Sequence, residues 1–216
     1  MTERVLYGYY RSSAAYRVRI ALNLKGLQYR QQPVNLLKGE QRALDYLALN
    51  PQGLVPALLD NGQLLTQSLA ICEYLDEAYP ATPALLPSGL IERARVRALA
   101  LSICADIHPL HNARVLKYLE TELGQDDAQK TQWIRHWIAK GFAALEQQLA
   151  AKPMPFACGD APGLLDACLV PQVFAARRFG LDLTPYPHIV RVDAALASLP
   201  AFAAAHPAQQ ADAPAD

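Results

Sequence analysis

The stretch YGYYRSSAAYRVRIAL, residues 7–22, decides how this chain is read. A short apolar strand runs into Arg11-Ser12-Ser13, and a helix starts at once over Ala14 to Leu22. Serine is a preferred N-cap, because its hydroxyl accepts a hydrogen bond from a first-turn amide that has no helical partner. The helix N-terminus carries roughly half a positive charge, which favours a bound anion or thiolate. Arg11, just before the cap, adds a full cation at the same spot. No cysteine stands at this turn, so a thiolate used there has to come from a ligand. An ordinary capped helix after an edge strand explains the same residues, and the turn alone leaves both readings open.

Outward from the turn, the first eighty residues alternate between strand and helix. Arg4 to Tyr7 reads as a strand and Ala14 to Lys25 as a helix closed by Gly26. Gln28 to Val34 reads as a second strand, and Gln41 to Leu49 as a short helix stopped by Asn50-Pro51. Val55 to Leu59 and Gln63 to Leu65 flank Asp60-Asn61-Gly62, a strong hairpin signal, and a helix follows over Gln67 to Tyr79. The order βαβαββα predicts a mixed sheet with helices packed on it.

The character changes after the proline-bearing segment 80–89. Helical periodicity over Ile91–Leu119 is interrupted by Pro109. Gln129–Ala150 is amphipathic, with Trp133, Trp137, Phe142, Leu145 and Leu149 as expected core contacts. Leu164–Phe179 is apolar enough for a buried central helix, bent or broken at Pro171, and His188–Ser198 reads as a last short helix. The expected organisation is therefore an α/β domain over 1–80, a linker over 81–87, an all-α domain over 88–206 and a mobile tail over 207–216.

Twenty basic and twenty acidic side chains leave no net charge, and no basic run supports a nucleic-acid partner. The first fifteen residues carry Glu3, Arg4 and Arg11 and no apolar core of signal-peptide length. No apolar run approaches the ~18 residues of a spanning helix, so no membrane role is expected. The four cysteines (72, 104, 158 and 168) form no metal-ligand spacing with histidine, so no metal site is expected. Cys72, Cys104 and Cys168 sit in apolar helical patterns, as small buried hydrophobes do, and a reducing cytoplasmic setting is the simplest expectation.

Four stretches carry a resemblance: Tyr10-Arg11-Ser12-Ser13 through Arg17-Val18-Arg19-Ile20-Ala21-Leu22; Leu49-Asn50-Pro51 to Val55-Pro56; Gln67-Ser68-Leu69-Ala70-Ile71; and Cys168 to Val173 on to Arg178-Phe179 and Asp182 to Pro187. With them the chain resembles the glutathione transferase superfamily, a thioredoxin-like α/β domain followed by a helical one, and most of all its zeta class. Two departures stand out. The family's Ser-Ser-Cys-Ser is here Ser12-Ser13-Ala14-Ala15, and the usual Thr-x-x-Asp box that opens the buried helix is Gly163-Leu164-Leu165-Asp166.

The resemblance implies glutathione as cofactor. Ser12 and its neighbouring amides would hold the sulfur, with Ser13 beside it. Val55, before a cis-Pro56, would pair with the peptide part. Gln67 and Ser68, at a helix start, would take the γ-glutamyl carboxylate, and Gln41 would reach the glycine end. His108, Asn112 and Arg114 would line the cleft for cofactor and substrate, Arg178 would bind a substrate carboxylate, and Arg11 would stabilise charge beside Ser12. Arg17, Arg19 and Arg177 read as structural, and His111 as a surface histidine. The implied activity is a cis–trans isomerase taking a maleyl dicarbonyl acid to its fumaryl isomer. Maleylacetoacetate going to fumarylacetoacetate in aromatic amino-acid catabolism is the first expectation, and maleylpyruvate the second. Conjugation or dehalogenation of small electrophiles, and a non-catalytic glutathione-binding module, are the rival readings. A homodimer is implied by the same resemblance.

Overall fold

The computed structural model describes residues 4–214. The chain divides into two compact units, Met1–Leu86 with Ala197–Asp216, and Pro87–Leu196. In the first, β1 (Val5–Gly8), β2 (Arg30–Pro33), β3 (Ala57–Asp60) and β4 (Gln63–Thr66) make a sheet of order β2-β1-β3-β4. Strand β1 pairs parallel with β2 and antiparallel with β3, and β3 pairs antiparallel with β4. Helices α1 (Ser13–Leu24), α2 (Leu44–Leu49) and α3 (Ser68–Ala78) complete the expected βαβαββα order.

Local chemistry sets these boundaries. Gly26, at φ +65°, ends α1 in the left-handed conformation that a side chain disfavours. Asn61 and Gly62, at φ 52° and 76°, supply the two positive-φ residues that a tight β3–β4 hairpin needs. The core of this unit comes from Val5, Leu6, Val18, Ile20, Leu22, Leu58, Ile71 and Leu75, all buried. Lys25 Nζ lies 3.1 Å from Asp76 Oδ1, and the Asp76 carboxylate also accepts from Leu85 and Leu86 N–H, which holds the end of the segment expected as a linker.

The chain end differs from its expectation as a mobile tail. Helix α9 (Pro200–Ala205) packs on α1, a 3₁₀ turn follows at Pro207–Gln209, and Gln210 is buried. The physical reason is polar: Arg19 and Asn23 of α1 donate to α9 carbonyls, and Gln31 and the Tyr10 N–H donate to the side chains of Gln210 and Asp212, which apolar periodicity does not report. Residues 1–3 of the expected first domain and 215–216 of the expected tail lie outside the described residues.

The second unit is helical: α4 (Leu90–Leu101), α5 (Ala113–Thr121), α6 (Asp127–Ala151), α7 (Leu164–Arg178) and α8 (Pro187–Ala197). Between α4 and α5 the long helix expected over 91–119 loosens into a π-helical turn at Ser102–Ile107 and tightens into a 3₁₀ turn at His108–His111, where Pro109 sits. Ile134, Ile138, Phe142, Leu145 and Leu149 form the buried face of α6, while Trp133 and Trp137 stay half-exposed. Helix α7 is buried on nearly all sides and runs on through Pro171 without a break. The packing around it offsets the one hydrogen bond that proline forfeits.

Asp166 closes the start of α7. Its Oδ1 accepts from Ala157 N–H and its Oδ2 from Gly163 N–H, both at 2.9 Å, so the carboxylate does the work that Gly163 cannot. Burial outweighs these amides and pushes its pKa up to about 6, from an ordinary 3.8. The folded state therefore binds this proton more tightly than the unfolded chain, and the stability so gained is present below about pH 4 and lost as pH rises through 6. Asp166→Asn, uncharged throughout, is the reference. The melting temperature of the wild type minus that of Asp166→Asn is expected to fall between pH 4 and pH 7, and thermal scans across that range check it.

Candidate functional site

The strand register gathers the candidate residues of the first unit at one end of its sheet. Tyr7 lies opposite Ala57, Ala57 opposite Thr66, and Gly8 opposite Pro33. The turn after β1, the loop before β3, the entry to α3 after β4 and the segment leaving β2 all emerge at that end. Ser12, Ser13, Val55, Gln67, Ser68 and Gln41 lie on these four segments.

Ser12 is the N-cap of α1, and its Oγ accepts from Ala15 N–H at 3.2 Å. Only the acceptor side of the hydroxyl is used by the cap, which leaves its proton to donate. Ser13 is the first helical residue, and Ser12 N–H closes the turn onto the Tyr9 carbonyl at 2.9 Å. Arg11 is half-buried, its guanidinium carbon 5.8 Å from the Tyr10 ring centre. Burial pushes the Tyr9 phenol up to about 12, so it remains protonated at neutral pH.

The Val55–Pro56 peptide is cis. Just before it, the Leu54 carbonyl accepts from Tyr46 Oη at 2.7 Å and Asn50 Nδ2 at 2.8 Å, which fixes this loop from α2. Gln41 sits in a 3₁₀ turn, and its backbone oxygen would lie 3.1 Å from a Cβ at Gly53. Gln41 is half-buried, and its Oε1 is buried without a hydrogen-bond partner among the described residues.

Gln67, at φ 67° and ψ 112°, precedes α3 in a region that residues with a side chain rarely adopt. Such strain persists where the surroundings impose it, often at ligand sites. Ser68, the first residue of α3, is 6 % exposed and accepts from Arg17 Nη1 at 3.3 Å. Arg17 is 2 % exposed, and its Nε and Nη2 have no hydrogen-bond partner among the described residues. Arg17 therefore sets a buried cation directly behind Ser68, a helix-end contact in keeping with its structural reading. The available signal was a charge set among the apolar residues of α1.

In the second unit, His108 opens the 3₁₀ turn after the π-helical segment and stacks edge-on against His111 at 5.3 Å. His111 is buried rather than a surface residue, its Nε2 3.0 Å from Gln172 Nε2 and 3.3 Å from Gln172 Oε1. Asn112 is the N-cap of α5, Oδ1 accepting from Arg114 N–H at 3.2 Å, and the Arg114 side chain is exposed. Arg177 pairs with Asp193 at 2.5 Å, as a structural arginine does. Arg178 stands exposed at the last turn of α7, its guanidinium carbon 4.9 Å from the Phe179 ring centre. An open groove of 710 Å³ on the α6 surface, lined by Asp127, Thr131, Arg135, His136 and Leu181 among others, contains none of the expected site residues.

A sheet of this order, two helices opened by serine at one end of it and a helical second unit define a thioredoxin-like transferase architecture. The chain matches the family "Glutathione S-transferase, N-terminal domain" over residues 6–83 and "Glutathione S-transferase, C-terminal domain" over 127–208. It is 55% identical to the maleylacetoacetate isomerase of Pseudomonas aeruginosa, across 97% of this chain and 99% of that one. A solved holo structure of a bacterial zeta-class maleylpyruvate isomerase is 51% identical, covers 97% of this chain and 100% of its own, and superposes with a TM-score of 0.94. The maleylacetoacetate isomerase of Methylobacterium extorquens, solved with bound malonate and GSH, is 41% identical over 98% of this chain and 100% of its own, with a TM-score of 0.93. The chain belongs to the zeta class of the glutathione S-transferase family.

Proposed function

We propose that this protein is a glutathione-dependent cis–trans isomerase that converts maleylacetoacetate to fumarylacetoacetate in aromatic amino-acid catabolism, working in the cytoplasm as a homodimer. One observation carries the reading: α1 and α3 start from serines at the same end of one sheet, and buried Arg17 ties the second serine to the first helix. The full-length likeness to the Pseudomonas enzyme supports the same activity, and the malonate and GSH of the Methylobacterium structure support a small dicarboxylate and glutathione as ligands.

The residues present fit glutathione. The Arg17 guanidinium, buried behind Ser68 and bonded to its Oγ, sets positive charge at the start of α3, where a carboxylate is favoured. Gln67 and Ser68 hold the γ-glutamyl end, Val55 the peptide, and Ser12 with Ser13 the sulfur. When bound, glutathione supplies a thiolate that adds to the maleyl double bond, permits rotation about the resulting single bond and departs again.

The Ser12 hydroxyl and the amides of the first turn of α1 stabilise negative charge on that sulfur. A free thiol of pKa ~8.5 is only a minority thiolate at neutral pH, and a donor at a helix N-terminus raises that fraction. Arg11 and Arg178 hold carboxylate and enolate charge, since guanidinium binds carboxylates in a bidentate fork. Fixed cations placed where charge develops lower the barrier without reorganising. His108, Asn112 and Arg114 bind the ligands from the second unit.

The test supplies maleylacetoacetate with substoichiometric glutathione and follows loss of the cis isomer. Many turnovers with free glutathione recovered unchanged are expected. Glutathione consumed into product would instead identify a conjugating or dehalogenating transferase, and binding without turnover a non-catalytic module. The 51% identity to the maleylpyruvate isomerase structure supports maleylpyruvate as the second substrate to run alongside.

A further inference from the structure

The C-terminal segment reaches the turn that presents Arg11 and Ser12. Asn23 Nδ2 donates to the Ala201 carbonyl at 2.9 Å, and Gln31 Nε2 to Gln210 Oε1 at 2.5 Å. Gln210 Nε2 donates back to the Ala204 and His206 carbonyls, and Ala213 N–H to the Gln210 carbonyl, so the segment folds on itself as well as on α1 and β2. At its far end, Asp212 Oδ2 accepts from Tyr10 N–H at 2.8 Å. On the other side of the same residue, Arg19 Nη2 donates to the Tyr10 carbonyl at 2.9 Å, while Arg19 Nε donates to the Ala205 carbonyl at the end of α9 at 3.0 Å. Arg19 is 1 % exposed.

Both polar backbone groups of Tyr10 are thus tied to the chain end, one directly and one through a buried arginine that is itself anchored on α9. Tyr10 is joined to Arg11 and, one peptide further, to Ser12. A shift of the Tyr10 backbone moves the cap and its neighbouring cation together. A carboxylate accepting from a backbone N–H makes a charge-assisted bond, stronger than a neutral one. Half-buried Asp212 makes such a bond to the Tyr10 amide.

We propose that the segment 199–214 is a positioning element of the glutathione-binding turn, with Asp212 the positioning residue that acts through the Tyr10 peptide on Arg11 and Ser12. The proposal rests on the glutathione reading given above. Positioning at this level matters because a donor displaced by a fraction of an ångström no longer meets the charge it stabilises.

Full-length wild type, Asp212→Ala and Asp212→Asn decide it through three measurements: hydrogen exchange at the Tyr10 amide without ligand, glutathione affinity by calorimetry, and the pH midpoint of ultraviolet thiolate absorbance in the glutathione complex. Asp212→Ala is expected to speed Tyr10 exchange, to raise Kd about tenfold and to move the thiolate midpoint upward. Asp212→Asn keeps an acceptor oxygen and is expected to stay within about threefold of wild type. A role in stability alone would lower the melting temperature of Asp212→Ala and leave the thiolate midpoint where it is. That result, or Asp212→Ala binding glutathione as tightly as wild type, overturns the proposal. A wild-type protein that binds no glutathione overturns instead the reading on which it rests.

Discussion

Ser12→Ala is expected to lower kcat/KM for maleylacetoacetate by about 100- to 1,000-fold, the usual cost of deleting one donor aimed at developing negative charge. Two effects are superposed in this variant. The Oγ of Ser12 also caps α1, and replacing a serine cap by alanine costs about 1 kcal/mol of stability. Ser12→Gly separates them, because glycine at an N-cap costs only a few tenths of a kcal/mol yet carries no hydroxyl. The two variants should therefore differ in melting temperature and share the loss of activity. The pH at which bound glutathione ionises should rise in both. Full activity in Ser12→Ala would pass the role to Ser13 or to the amides of the first turn. With Ala14 and Ala15 following the serine pair, no cysteine is available to mask the effect.

Arg178→Ala should cost about 100-fold in kcat/KM, because a guanidinium that meets a carboxylate through two parallel bonds has no substitute in water. Arg178→Lys keeps the charge but loses the fork and is expected to fall between the two. The position suits a clean experiment: the side chain is exposed at the last turn of α7, so its removal leaves the buried body of that helix intact. Arg177→Ala is the matched control. It breaks the pair with Asp193, whose burial raises the carboxyl pKa against the pull of Arg177, and should lower the melting temperature while leaving kcat/KM within about twofold. A loss under threefold in Arg178→Ala would remove this residue from the catalytic assignment.

Local signals carried far in the first unit. The Ser12 cap, the Gly26 stop and the Asn61-Gly62 hairpin each depend on a few neighbouring residues, and each stands where the spacing placed it. Pro171 does not break its helix, because its cost is local whereas the packing that absorbs it comes from all sides of α7. His111 misled for a similar reason. A histidine among polar neighbours reads as exposed until Gln172, sixty-one residues away, is found against it. Alanine, glutamine and proline after Pro207 give no periodicity, so nothing in the segment itself announced that Gln210 and Asp212 would be held by β2 and by the Tyr10 turn.

The sequence by itself determined the serine-opened helix after β1, the βαβαββα element order of the first unit and, through the motifs around Arg11-Ser12-Ser13 and Arg178-Phe179, the family. The first two rest on short-range capping, turn and periodicity rules that a linear chain displays, and the family on a resemblance of motifs. Only the tertiary structure decided that Arg17 is a buried cation behind Ser68, that the acceptor of Gln41 is buried, and that the chain end holds the Tyr10 peptide. The first and last of these join residues far apart in the chain, by hydrogen bonds whose partners are selected by the packing of α1 against α3 and α9, and the burial at Gln41 is likewise set by tertiary packing rather than by any spacing along the sequence.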